Sequence, residues 1–128
     1  MSERLIDERE DQYFKVLRSI EQNPELTQRA MSQALNISLG ALNYTIRALV
    51  DKGLVKARNF KNSRNRLSYA YLLTPKGVQE KGLLTVRFMA RKMREFERLK
   101  REIEELKGEV TTQERYTESE LGGIKQWR

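Results

Sequence analysis

Five residues on one side of a predicted helix have the chemistry needed to read the edges of nucleobases. They are small or polar, and they comprise Ser38, Gly40, Asn43, Tyr44 and Arg47. An asparagine amide can pair bidentately with adenine in a DNA major groove, and an arginine guanidinium can pair with guanine. Small residues near the start of such a helix let its backbone approach bases and phosphates. The alternative interpretation is an ordinary solvated helix face without a partner.

A group of cationic side chains follows this helix. It comprises Lys56, Arg58, Lys61, Arg64 and Arg66. Only Asp51 is anionic between Glu25 and Glu80, whereas a solvated surface normally mixes charges of both signs. We expect these cations to contact flanking phosphates or a minor groove, and Arg64 and Arg66 are the candidates for insertion into that groove. Protection of a hairpin edge from unwanted pairing is the alternative.

Residue types that support catalysis or metal binding are scarce. The chain contains no histidine, and it contains no cysteine, which excludes disulfides, thiolate metal sites and thiol-based redox sensing. No paired carboxylates, metal-ligand spacing or glycine-rich phosphate loop stands out. We therefore expect a protein that is not an enzyme and that uses neither a metal nor another cofactor.

The overall charge favours a polyanionic partner. Lys and Arg number 25 against 18 Asp and Glu in 128 residues, so the formal net charge is +7. Such an excess suits nucleic acid binding, although solubility alone also favours some net charge. No apolar run approaches the roughly 20 residues of a membrane span, and the N-terminus lacks the layout of a signal peptide. We expect a cytoplasmic protein with no membrane partner.

Capping residues and hydrophobic periodicity predict the helices that must position these side chains. A first helix is predicted over about Asp7–Gln22. Thr27 is the expected N-cap of a second helix, and Ser38 is the expected N-cap of a third. Between them, Asn36 suits the left-handed conformation that ends a helix, and Gly53 suits the same position after the third helix. Two short helices joined by a tight turn form a helix-turn-helix.

The third helix has one apolar face, and a hairpin follows it. Its apolar positions are spaced i, i+4, i+7 and i+8, namely Leu42, Ile46, Leu49 and Val50. After Gly53 the period changes from 3.6 to 2, which predicts strands over Leu54–Phe60 and Leu67–Leu73. The polar connection over residues 61–66 is typical of a basic wing. Tyr69 and Tyr71 are expected to pack against the helices, and stacking on bases is the alternative.

A long helix is predicted from Pro75 to about Glu109, since Thr74 suits its N-cap and proline suits its first position. Apolar residues along it follow a heptad pattern, which is typical of packing against another long helix. The predicted dimerisation residues are Val86, Met89, Met93, Phe96, Leu99, Ile103 and Leu106. A second copy is the expected partner, because the rest of the chain offers no helix of comparable length. A ligand or lipid surface is the alternative.

These elements predict a mainly α fold with a small β-hairpin wing, in the α+β class. The predicted organisation is a winged helix-turn-helix DNA-binding domain over residues 1–74 and a long C-terminal dimerisation helix over residues 75–110. An irregular tail is expected over residues 111–128.

With these elements placed, the sequence resembles winged helix-turn-helix regulators of the MarR family. The matching stretches are Leu-Thr-Gln-Arg from Leu26, Leu-Asn-Ile-Ser-Leu-Gly from Leu35, Ala-Leu-Val-Asp-Lys-Gly-Leu-Val from Ala48, and Leu-Thr-Pro-Lys-Gly from Leu73. The stretch over residues 59–77 is similar to a narrower branch, the MarR-type regulators associated with bacterial exopolysaccharide gene clusters.

The resemblance implies a homodimer that binds double-stranded DNA at a pseudo-palindromic operator, as a repressor rather than an activator. It also implies a recognition helix over about Ser38 to Lys52 and a wing centred on residues 61–66. The sequence leaves open the operator, the effector and which wing arginine enters the minor groove. The competing hypothesis is a protein-interaction module whose long helix pairs with a different protein.

Overall fold

A computed structural model describes residues 3–61 and 67–121, with side-chain surroundings for residues 3–58 and 70–113. The elements in chain order are α1 (Glu3–Gln22), α2 (Gln28–Leu35), α3 (Leu39–Asp51), β1 (Val55–Lys61), β2 (Leu67–Leu73) and α4 (Pro75–Leu121). This order confirms the predicted fold class, a mainly helical chain with one hairpin and a long last helix. The chain divides into two compact units, Met1–Met89 and Ala90–Arg128.

The helix-turn-helix begins and ends at the predicted caps. The Thr27 hydroxyl accepts a hydrogen bond from Ala30 N at 3.1 Å, and the Ser38 hydroxyl accepts one from Ala41 N at 3.0 Å. Asn36 lies in the left-handed region with φ 56°. Each hydroxyl satisfies one of the backbone donors that a helix start leaves without a partner. The turn between α2 and α3 is therefore determined by local chemistry.

Helix α1 begins at Glu3, four residues before the predicted start at Asp7. An acidic residue in the first turn interacts favourably with the helix dipole. Arg4 Nε also lies 3.3 Å from Glu8 Oε1, a pair spaced i, i+4 on the exposed surface. Neither residue belongs to the apolar pattern, so periodicity alone underestimated the length of this helix.

The core of the first unit lies where α1, α2, α3, the hairpin and the start of α4 meet. Its buried members are Phe14, Val16, Leu17, Ile20, Met31, Leu42, Ile46, Leu49, Leu54, Val55 and Leu84. The inclusion of Val50 in the buried face was wrong, because its side chain is 39% exposed. At 3.6 residues per turn, Val50 lies at the edge of the face centred on Leu42 and Leu49. Thr45, at the opposite edge, is buried instead.

The two strands form one antiparallel pair with a register from Val55↔Leu73 to Lys61↔Leu67. The first strand begins one residue later than predicted, because Leu54 makes other hydrogen bonds. Leu54 N donates to Leu49 O at 2.9 Å, and Leu54 O accepts from Thr74 N at 3.0 Å. Leu54 therefore joins the end of α3 to the residue that precedes α4.

The start of α4 is fastened to the end of α3. Thr74 Oγ1 accepts from Gly77 N at 3.0 Å, which confirms the predicted N-cap, and it donates to Gly53 O at 2.5 Å. Gly53 has φ +73°, as expected for the residue after a helix. A Cβ on Gly77 would lie 2.0 Å from Leu54 O, so any other residue at this position would require the backbone to move.

The first turns of α4 belong to the core of the first unit. Leu84 is 2% exposed, and the Phe88 ring stacks on Phe14 with their centroids 4.7 Å apart. Arg87 Nη1 lies 2.9 Å from Glu10 Oε1. The compact unit therefore extends to residue 89, whereas the sequence predicted a domain boundary after residue 74. The heptad pattern did not reveal that this stretch also packs against α1.

In the second unit, α4 continues to Leu121. The predicted irregular tail over residues 111–128 is wrong for residues 111–121, and residues 122–128 lie outside the described part. No proline interrupts this stretch, and Gly108 costs only about 1 kcal/mol relative to alanine. The Thr111 and Thr112 hydroxyls donate to the carbonyls of Lys107 and Gly108, so these polar side chains are satisfied within the helix.

Candidate nucleic-acid interface

Helix α3 presents a polar face to solvent because its apolar face is held by the core. Leu42 and Leu49 are fully buried, whereas Tyr44 is 77% exposed. All five predicted base-reading residues are exposed, namely Ser38, Gly40, Asn43, Tyr44 and Arg47. The Ser38 oxygen accepts from Ala41 N, which leaves its hydroxyl proton and one lone pair available to a partner. Exposure of this whole face leaves it free to contact a large ligand.

A buried polar contact orients α3 relative to α1. Gln12 Nε2 donates to Thr45 Oγ1 at 2.5 Å, and the Thr45 hydroxyl donates to Ala41 O at 2.9 Å. Thr45 is 2% exposed, so its hydroxyl has no access to water. Sequence reasoning missed this contact, although a threonine three residues after Leu42 on an apolar face was a signal for it. The contact fixes the orientation of α3 about its own helix axis.

A second polar contact connects α3 with α2 and the hairpin. Asn43 Nδ2 donates to Gln28 Oε1 at 3.3 Å, and Gln28 Nε2 donates to the Tyr71 hydroxyl at 2.8 Å. Tyr71 is partly buried and packs against the core, as expected for this strand residue. Sequence reasoning did not single out Gln28, because its partners lie 15 and 43 residues away along the chain.

The structure describes only part of the predicted cationic group. Lys56 and Arg58 are two residues apart in β1, so their side chains project from one face of the hairpin, and both are exposed. The Lys61 backbone pairs with Leu67, but its side chain lies outside the described part. Arg64 and Arg66 lie outside the described residues altogether.

The electrostatic character of this region is strongly positive. Nine Lys or Arg residues and one acid, Asp51, occur between Glu25 and Glu80. The ion pairs found among the described side chains lie elsewhere. They occur within α1, between α1 and α4, and within α4. Lys52 Nζ lies over the Tyr13 ring, 5.8 Å from its centroid. A surface of this kind favours an anionic partner.

The predicted dimerisation residues are exposed in both units. In the first unit, Val86 is 64% and Met89 is 58% exposed. In the second unit, five apolar side chains form what we call the distal stripe: Met93, Phe96, Leu99, Ile103 and Leu106. Their spacings of three and four residues place them on one side of α4. An exposed apolar stripe of this length is unusual for a soluble monomer.

Other kinds of site find no support in the part of the chain that the structure describes. Among residues 3–61 and 67–121, no three His, Cys, Asp or Glu side chains lie close enough together to hold a metal ion. None of the described helices has a stretch both long enough and apolar enough to cross a membrane.

Comparison with protein families places the helix-turn-helix in a known class. A family model described as winged helix-turn-helix DNA-binding matches residues 11–56, from the middle of α1 to the start of β1. This stretch contains α2, α3 and the capping and turn residues Thr27, Asn36, Ser38 and Gly53. No curated protein matches the chain at a significant level.

Three solved structures share the fold. The DNA complex of MepR from Staphylococcus aureus is 20% identical, covers 79% of this chain and 73% of its own, and has a TM-score of 0.56. The PcaV transcriptional regulator from Streptomyces coelicolor, in complex with its natural ligand, is 19% identical over 73% of this chain and 72% of its own, with a TM-score of 0.51. A MarR family transcription regulator is 14% identical over 78% and 72%, with a TM-score of 0.51. The chain therefore has a winged helix-turn-helix fold like that of MarR-type regulators.

Proposed function

We propose that this protein is a transcriptional regulator of the MarR type that binds double-stranded DNA sequence-specifically as a homodimer. The observation that carries the proposal is the exposed polar face of α3 within a segment that contains a single acid. A helix held by its apolar side can insert its other side into a major groove. The fold that the chain shares with MepR, whose structure was solved with DNA, supports this role.

The residues of the interface divide into two roles. Ser38, Gly40 and the α3 side chains Asn43, Tyr44 and Arg47 read bases or position the helix. The cations Lys56, Arg58, Lys61, Arg64 and Arg66 hold phosphates, and one of the last two enters the minor groove. Phosphate contacts fix the position of the protein on the duplex, whereas base contacts select the sequence.

The distal stripe is the proposed dimerisation surface, together with Val86 and Met89. Its five members are between 43% and 62% exposed in the single chain. Apolar residues spaced three and four apart are typical of coiled-coil pairing between long helices. A second copy presents an identical stripe, and a two-fold dimer would place two α3 helices on successive turns of DNA.

The resemblance to the exopolysaccharide-associated branch supports a more specific proposal. The protein acts in the cytoplasm as a repressor of exopolysaccharide genes, at an operator with two inverted half-sites. The DNA upstream of the protein's own gene is the first to test.

Selection from a pool of random duplexes tests the proposal. We expect one enriched pseudo-palindrome whose half-sites are separated by one helical turn, about 34–36 Å. Analytical ultracentrifugation of the free protein should give a dimer. A monomer, or a pool with no enriched sequence at physiological salt, would contradict the proposal. A heteromeric complex without DNA preference would instead favour the protein-interaction module.

A further inference from the structure

Two side-chain hydrogen bonds form a continuous connection from the hairpin to the exposed face of α3. Tyr71 in β2 accepts from Gln28 Nε2 at 2.8 Å, and Gln28 Oε1 accepts from Asn43 Nδ2 at 3.3 Å. Gln28 is the first residue of α2 and follows the N-cap Thr27 directly. The connection therefore begins on a packed strand residue, passes through the start of α2, and ends on a side chain that faces solvent.

The connection determines what Asn43 can offer to a base. One Nδ2 hydrogen is directed at Gln28, which leaves the second Nδ2 hydrogen and the Oδ1 oxygen available. Adenine presents an acceptor at N7 and a donor at N6 in the major groove, so one donor and one acceptor match it. Guanine presents acceptors at both N7 and O6. An amide held in this orientation would place its own oxygen against the O6 of guanine.

We infer that Gln28 is a positioning residue that makes Asn43 prefer adenine over guanine at one base pair in each half-site. This inference rests on the proposed function, since it assigns the base preference of the same interface. Without Gln28, the Asn43 amide is free to rotate and can turn its nitrogen toward O6. Tyr71 contributes by holding Gln28, because its ring packs against the core.

Base preferences of single and double variants test the inference. Selection from random duplexes with the wild-type chain should show a preference for adenine over guanine at one position. Asn43→Ala should abolish the preference at that position. Gln28→Ala should lower this preference about tenfold at that position and leave the others unchanged. The combination of Gln28→Ala with Asn43→Ala should lower it no further than Asn43→Ala alone, because the two residues act as one unit. Tyr71→Phe should have a smaller effect at the same position.

Gln33→Ala is the matched control. It makes the same substitution at an exposed position of α2, where no base preference should change. The inference is overturned if Gln28→Ala and Asn43→Ala act additively or at different positions. It is equally overturned if Gln28→Ala weakens all sequences alike and flattens the salt dependence, since Gln28 would then contact a phosphate.

A measurement without DNA separates this inference from the proposed function. In the ¹H–¹⁵N spectrum of the full chain, Tyr71→Phe should shift the side-chain amide signals of Gln28 and Asn43 but not that of Gln33. Unshifted signals overturn the connection itself. If the wild type selects a sequence and Gln28→Ala leaves it unchanged, the proposed function stands and the inference falls. If the wild type selects no sequence, both fall.

Discussion

Helix α3 and the Ala90–Leu121 part of α4 are both amphipathic, but α3 exposes only its polar face, whereas the described part of the second segment exposes its apolar face as well. In α3 the apolar side is buried, with Leu49 at 0% exposure, and the polar side faces solvent, with Tyr44 at 77%. In the second unit the apolar side faces solvent, with Phe96 at 62%. A helix whose polar face remains exposed is suited to a charged or hydrogen-bonding partner. A helix whose apolar face remains exposed requires a partner to remove that face from water.

Charge follows the same division. The segment between Glu25 and Glu80 has nine cations and one acid, whereas the stretch between Ala90 and Leu121 has eight cations and nine glutamates. A balanced surface does not repel a second copy, and ion pairs can flank an apolar seam. A surface with an excess of positive charge repels a second copy of itself and attracts a polyanion. The two regions therefore suit different partners, DNA for the first and a second chain for the second.

The largest expected effect comes from breaking the distal stripe. Phe96→Glu combined with Ile103→Glu should convert the dimer to a monomer, because charges in an apolar seam lose hydration without gaining a partner. Operator affinity should fall by about 100- to 10,000-fold, since the second half-site no longer binds intramolecularly. Ultracentrifugation and a shift assay measure the two effects.

Its control is Arg94→Glu combined with Arg101→Glu, which adds the same residues seven apart on the opposite side of the helix. This variant should remain dimeric. Dissociation of both variants alike would show that total charge, and not the stripe, governs assembly.

The next largest effect concerns the backbone contact that completes the first unit. Gly77→Ala should lower the free energy of unfolding by about 1–3 kcal/mol, because its Cβ would collide with Leu54 O. Urea denaturation followed by circular dichroism measures this change. Gly82→Ala is the control on the same helix, where a Cβ meets nothing within 4 Å. It should raise stability by about 0.5–1 kcal/mol. Equal effects at both glycines would argue against the contact.

A base contact on α3 should affect sequence preference rather than general affinity. Arg47→Ala should cost about 1–3 kcal/mol at particular operator positions if its guanidinium reads a base. Binding measurements with single base-pair substitutions provide the test, and Arg94→Ala in the second unit should change none of them. A uniform loss across sequences would reassign Arg47 to phosphate contact.

The smallest effect is expected for the wing cations. Lys56→Ala or Lys61→Ala should weaken all DNA sequences similarly and reduce the salt slope by about one unit, since each lysine releases one counterion. Shift assays between about 50 and 200 mM salt measure this slope. Lys100→Ala should leave it unchanged. A slope unaffected by the wing variants would remove these lysines from the phosphate-contacting set.

Much of the first unit was predictable because its signals are local. Thr27 and Ser38 cap their helices, and Asn36 adopts the left-handed turn conformation. Each of these preferences depends on backbone geometry within a few residues of the side chain. Element ends without such signals were predicted less well. The start of α1 and the end of α4 both extend through residues that form helix without belonging to an apolar pattern.

The partners in the contacts that orient the candidate interface were not predictable, although Thr45 itself was a signal. Gln12 and Thr45 are 33 residues apart, and Gln28 and Tyr71 are 43 residues apart. No periodicity relates residues at such separations, so only the packing of α1, α2 and β2 around α3 brings them together. The same holds for Phe14 and Phe88, whose stacked rings assign the first turns of α4 to the core.

The amino-acid sequence by itself determined the kind of elements, their order and their charge, because capping, periodicity and composition act over short distances. It therefore also determined which residues of α3 are polar and which residues of α4 form a heptad pattern. Only the tertiary structure decided which surfaces cover the apolar faces of α1 and α3, and where the compact unit ends. Burial depends on which surfaces meet in space, and that meeting is a property of the whole folded chain.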